Sequence, residues 1–274
     1  MMNKLFVIQL AISFIVGGSF IALQSFVAER VNKKIAGIVI AFPSTIALGL
    51  FFMGWATSPE SVAEIIPSTF IPLGLAILFV SIYPYVAEFI VKHVKHKLLQ
   101  IIISFCVSIG FWFALSVPLV IFEVNNFLIG MLGYVLIVIV AHFILNRKSY
   151  SKPVTLEYTN LQKITRAIFV GLIIFTIVLL SKILNPFWGG MFSMFPAAFG
   201  SVIMIIHWHY GIKSLYPIMQ NAAIGSLSLV AYTTVVMFAF PAFGFVMGTI
   251  AAYLVSLVVS LSLIKIQQKI HISK

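Results

Sequence analysis

The sequence predicts an all-α polytopic membrane protein of about nine transmembrane helices. They are arranged as an inverted-topology repeat: four spans, one connecting span, four spans. Three observations carry this. The 274 residues are 62% hydrophobic and only 8% charged, against about 25% charged in a soluble domain. Lysines and arginines cluster on alternate loops. One proline-broken segment is written twice.

Composition decides the class. There is too little polar sequence to cover a water-soluble globule. The apolar residues come in runs near the roughly 20 needed to cross a bilayer core of about 30 Å. The runs are 5–27, 35–55, 66–91, 98–122, 127–145, 167–184, 187–206, 215–240 and 242–264. Each must be helical, because a bilayer offers no water to open backbone groups. The first run is too long for a signal peptide, and no small-residue cleavage site follows it. The single cysteine, Cys106, excludes an internal disulfide and a cysteine metal cluster.

The net charge of +11 reads as a topology signal rather than as a nucleic-acid footprint. Fifteen of the 17 lysines and arginines fall in the first, third, fifth and seventh loops and the C-terminal tail. Arg147, Lys148, Lys152, Lys163 and Arg166 make the fifth loop the richest. Only Lys4 and Lys182 lie on the other side. The positive-inside rule then puts the N-terminus outside and the C-terminus in the cytoplasm of a bacterial-type inner membrane. The fifth loop, NRKSYSKPVTLEYTNLQKITR, is a solvated linker beside anionic headgroups. It sets the organisation: 1–122 as the first repeat, 123–166 as connecting span and linker, 167–274 as the second repeat.

The repeat rests on two gapless stretches, GIVIAFPSTIALGLFFMGWATSPES from Gly37 and GMFSMFPAAFGSVIMIIHWHYGIKS from Gly190, offset by 153 residues. Asn32 pairs with Asn185, Gly37 with Gly190, Phe42 with Phe195, Pro43 with Pro196, Trp55 with Trp208 and Ser61 with Ser214. The two copies start in spans of opposite direction, so they are inverted in the membrane. Inverted repeats are a transporter architecture, and interrupted helices in corresponding positions mark the substrate site at the repeat interface. Pro43 and Pro196 lack an N–H and clash with the carbonyl four residues back, so spans two and seven are broken or re-entrant. The freed backbone groups need a side chain, water or a ligand. The substrate-binding candidates are therefore Pro43, Ser44 and Thr45 in the first copy and Ser193, Pro196 and Ser201 in the second; the competing role for each is a packing kink, common in membrane helices. Lys182 joins them as a cation that could attract an anionic headgroup or solute; the competing role is snorkelling to the interface.

The stretch NKKIAGIVIAFPSTIALGLFFMGWATSPESVAEIIPSTFIPLGL resembles the small four-span bacterial inner-membrane proteins of the GlpM-like class. Its carrier is a glycine, five residues, proline, one residue and a hydroxyl: Gly37, Pro43, Thr45. The first half matches to about residue 122. In the second half Ala198 stands where the hydroxyl belongs. The resemblance implies a transporter-like membrane protein and no catalytic residue.

Other chemistries lack their residues. There is no aspartate, and none of the six glutamates lies mid-span, so a carboxylate-coupled antiporter has no coupling group. His142 lies near a span end as a structural histidine. His207 and His209 flank Trp208, but positions two apart do not share a helix face, so they read as wet interfacial residues. No Walker loop, GxSxG or HExxH occurs. The function expected is a small secondary transporter or flippase, not an enzyme, with no cofactor and no metal. Its partners are the lipid bilayer, an unknown small-molecule or lipid substrate, a second copy of the chain as a homodimer candidate, and no nucleic acid. A neutral, weakly charged or amphipathic solute fits best. The alternative is a non-transporting scaffold or assembly partner of another membrane complex, with a membrane-embedded enzyme third.

Overall fold

The computed structural model describes residues 3–30, 43–147 and 159–272. Asn32, Gly37 and Phe42 of the first copy, and most of the polar linker, lie outside these. The described residues form helices α1 (Lys4–Arg30), α2 (Ser44–Ala56), α3 (Pro59–Val91), α4 (Lys97–Ile121) and α5 (Phe127–Leu145). Then follow α6 (Asn160–Ile183), α7 (Pro186–Ser193), α8 (Ala197–Tyr210), a 3-10 turn at Ile212–Ser214, α9 (Leu215–Met219) and α10 (Ala222–Ile272). No strand occurs among them.

Seven of these helical stretches are long and apolar enough to cross a membrane, with α7 and α8 taken as one, and α2 is a shorter apolar helix. The sequence predicts nine spans, and two features account for the difference. The first is α2, whose 13 residues rise only about 20 Å. The second is α10, whose 51 residues hold a non-helical Gly244 at φ 72°, ψ 172°, three residues after Pro241. That backbone region is essentially confined to glycine. The two limbs of α10 fold back on each other there. The Ser256 hydroxyl donates to the Ser228 carbonyl at 3.0 Å, and the Tyr232 and Tyr253 rings lie 5.2 Å apart.

The chain divides into two compact units. The first comprises Met1–Ile66, Tyr158–Ser193 and Ile224–Lys274. Its frame is α1 against α6, held close by small residues as membrane helices are. A Cβ on Gly18 would lie 2.8 Å from the Ala167 carbonyl oxygen, and one on Gly171 2.8 Å from that of Phe14. The short α2 packs on this pair, and ten of its residues are buried.

The second unit comprises Pro67–Glu157 and Met194–Ala223. Its centre is α3, which carries Pro67, Pro72 and Pro84. Proline loosens a helix, and neighbouring side chains bond the backbone beside two of these prolines. The Trp112 indole donates to the Pro72 carbonyl at 3.0 Å, and the Ser68 N–H donates to Asn125 Oδ1 at 3.2 Å. The apolar faces left open belong to a bilayer rather than to water: Leu128, Leu132 and Leu136 of α5 are each more than 60% exposed. Both units draw on both halves of the sequence.

Candidate functional site

The two Phe-Pro segments produce the same local structure. At Pro43 the backbone sits at φ −73°, ψ 47°, and α2 starts at the next residue. At Pro196 it sits at φ −74°, ψ 48°, and α8 starts at the next residue. Neither helix has a side-chain cap at its amino end. The first bond back is Ala47 N–H to the Pro43 carbonyl at 2.8 Å in one, and Gly200 N–H to the Pro196 carbonyl at 2.7 Å in the other. The N–H groups ahead of these have no partner within their own helix, and partial positive charge collects there.

The surroundings of the two ends differ. In the first unit Ser44 is buried, and its hydroxyl donates to Gln24 Oε1 of α1 at 3.0 Å. Thr45 is only 5% exposed, and its Oγ1 has no hydrogen-bond partner among the described residues. The Cα–Cβ bond of Thr45 leans toward the amino end of α2, as in any helix. Gly49, one turn on and on the same face as Thr45, lies against Ser193 of α7: a Cβ there would be 3.5 Å from the Ser193 Cβ. The carboxyl end of α2 is closed by side chains. Thr57 Oγ1 donates to the Met53 carbonyl at 2.8 Å, and Gln9 Nε2 to the Trp55 carbonyl at 2.9 Å.

In the second unit the equivalent end is apolar. Phe195 packs edge-on to Trp112 at 5.5 Å and beside Phe113 at 6.0 Å. The Ala197 N–H turns back to the Phe195 carbonyl at 2.7 Å, an inverse γ-turn. The Ser201 hydroxyl donates to the Ala198 carbonyl at 2.9 Å.

Among the sequence candidates, the structure thus brings Pro43, Ser44, Thr45 and Ser193 together around α2, and places Pro196 and Ser201 at the start of α8. The Ser193 hydroxyl is engaged with its own helix, donating to the Gly190 carbonyl at 2.6 Å. Lys182 stands apart, exposed in the last turn of α6, where a cation complements the helix carboxyl end. No family model matches this chain, and comparisons with curated proteins and with solved structures find no match either.

Two polar residues escape sequence reading. The apolar run of span six starts at 167, which puts Arg166 in the linker. The helix instead starts at Asn160, behind a capping box in which Thr159 accepts from the Gln162 N–H and the Gln162 side chain accepts from the Thr159 N–H. Arg166 is therefore inside α6 and buried, and its Nη1 donates to Ser25 of α1 at 3.0 Å. The signal was present as T-N-L-Q, the Thr-x-x-Gln form of the box. His207 is the second correction. It is 2% exposed rather than wet, and its Nδ1 is hydrogen-bonded to the Tyr83 hydroxyl at 2.9 Å. His209 is exposed. Trp208 is 42% exposed, with the Lys97 ammonium 5.6 Å from its ring centre. That separation is within cation–π range.

Proposed function

We propose that this protein is a small secondary transporter or flippase of the inner membrane, and that its solute binds at the amino end of α2. The observation that carries the reading is the recurrence of one proline-led helix start at Pro43 and Pro196, with backbone angles equal to within one degree. Interrupted helices in corresponding positions are the sequence mark of a transporter site. Nine spans follow if α2 and both limbs of α10 each count as one. The fifteen-to-two charge split then sets the N-terminus outside and the C-terminus inside. The inverted duplication and the likeness to GlpM-like proteins belong to the same proposal, as does the absence of enzymatic chemistry.

Close packing supports a second reading, a membrane scaffold. A Cβ on Gly49 would come within 2.8 Å of Ile177 Cδ1, so this part of α2 leaves little room.

One variant separates the two. Purified protein in lipid nanodiscs is screened by thermal unfolding against solutes and lipids. Pro43→Ala combined with Thr45→Val is expected to abolish the ligand-induced rise while the protein still folds. A scaffold gives a lower yield and melting point with no ligand response to lose. Topology provides an independent check: a reporter fused after Lys274 is expected in the cytoplasm, and one near Glu60 outside. A reporter after Lys274 found outside overturns both the span count and the inversion.

A further inference from the structure

The geometry points to an anion as the ligand of the α2 amino end: a carboxylate or phosphate group, free in solution or carried by a lipid headgroup. This rests on the transporter reading and names the class of its substrate.

Four observations converge within the first unit. The α2 end presents the N–H groups of Ser44, Thr45 and Ile46 ahead of its first intrahelical bond at Ala47. Such an end binds anions through both its N–H groups and its dipole. Beside it lies a hydroxyl donor with no protein acceptor, Thr45 Oγ1, in a side chain only 5% exposed. An unpaired buried hydroxyl is costly, and a bound acceptor removes that cost. The third is asymmetry along α2: Thr57 and Gln9 occupy the carbonyls at its negative end, while no side chain among the described residues caps its positive end.

The fourth is Arg166. Gln24 and Ser25 are neighbours on α1. One receives the Ser44 hydroxyl and the other receives the Arg166 guanidinium. Arg166 therefore sits at the same height on α1 as the start of α2. A guanidinium inside a membrane helix is expensive and marks function by default. Here it places a guanidinium next to the α1 residue that receives the Ser44 hydroxyl. Lys182 is sixteen residues further along α6, about 24 Å away, and plays no part in this site. The sequence alone favours a neutral or weakly charged solute because it leaves Arg166 in the linker. Its burial changes that preference.

The test uses the full chain in phosphatidylcholine nanodiscs at matched ionic strength, with the thermal unfolding midpoint as readout. One arm adds sodium phosphate or sodium acetate. A second replaces part of the lipid with phosphatidylglycerol. A third adds the uncharged polyol xylitol. The midpoint is expected to rise in the first arm for a soluble anion, or in the second for a lipid headgroup. Thr45→Val is expected to weaken the apparent affinity roughly tenfold or more, the scale of a hydrogen bond to a charged group. Arg166→Gln is expected to weaken it as well, with Arg166→Lys restoring part of the response. Thr45→Val is nearly isosteric and removes an unpaired hydroxyl, so folding is not at risk.

No rise in either anion arm, or an anion response unchanged by Thr45→Val, overturns the assignment. A rise with xylitol that Thr45→Val abolishes, with the anion arms silent, overturns the anion class and leaves the α2 site standing. Silence in all three arms removes both.

Discussion

The starts of α2 and α8 share backbone angles and a leading proline, yet one is polar and the other greasy. The first has Ser44 bonded to Gln24 and Thr45 unpaired. The second has Ala197 and Ala198, with Phe195 wedged against Trp112. Proline sets the shape in both, because it fixes φ and withholds an N–H. What differs is which neighbours meet the freed backbone. Shape recurs with the proline; chemistry follows the one or two residues after it. In this molecule two helix starts of one shape differ in the polarity of their surroundings.

The largest expected effect lies on the greasy side. Trp112 is fully buried, donates to the Pro72 carbonyl, and packs against Phe195. Trp112→Ala is expected to destabilise the protein by about 3–5 kcal/mol, as large buried aromatics do. If the α8 start is packing only, any ligand-induced midpoint shift survives in the folded fraction. Loss of that shift at unchanged folded yield would break the comparison by giving the second segment a ligand role.

A smaller effect is expected where the two helices end. α8 stops at Gly211, with φ 79°, ψ 172°, and nothing within 4 Å of where a Cβ would stand. Gly211→Ala meets no clash, so its cost is backbone strain alone, about 1–3 kcal/mol. α2 stops differently, with Thr57 bonded to the Met53 carbonyl. Thr57→Ala is expected to cost about 1 kcal/mol. Equal losses in urea or thermal unfolding would mean that the two ends are not built in different ways.

The sequence carried the coarse fold well, for physical reasons. Membrane class follows from composition, and the helix starts after Pro43 and Pro196 follow from those prolines, because both are local properties of the chain. The position of Ser44 and Thr45 beside Pro43 was legible for the same reason. Arg166 was not, because hydropathy marks where a helix becomes apolar and not where it starts; the Thr159 box moves that start seven residues earlier. Gln24 gave no local sign, since its role depends on Ser44, twenty positions away. His207 bonds a tyrosine 124 positions away, and no window of sequence shows that. The bonds of Ser193 and Ser201 were not legible, because serine in a helix readily bonds a carbonyl of its own turn, and both do so.

The smallest expected effects are the sharpest test, because two adjacent hydroxyls should move stability in opposite directions. Ser44 is a donor with a partner. Ser44→Ala leaves Gln24 Oε1 short of that donor and is expected to cost about 1 kcal/mol. Thr45 is a donor without one. Thr45→Val keeps the volume and removes the unpaired group, so in the absence of ligand it is expected to raise stability by up to about 1 kcal/mol. Both are read as unfolding midpoints of the ligand-free protein in the same nanodiscs. A stabilised Thr45→Val means that the native chain tolerates a buried hydroxyl at a thermodynamic loss, as sites kept for a ligand do. A Thr45→Val that loses as much as Ser44→Ala means that the hydroxyl is already satisfied. The polar end of α2 would then be no more open than the apolar end of α8.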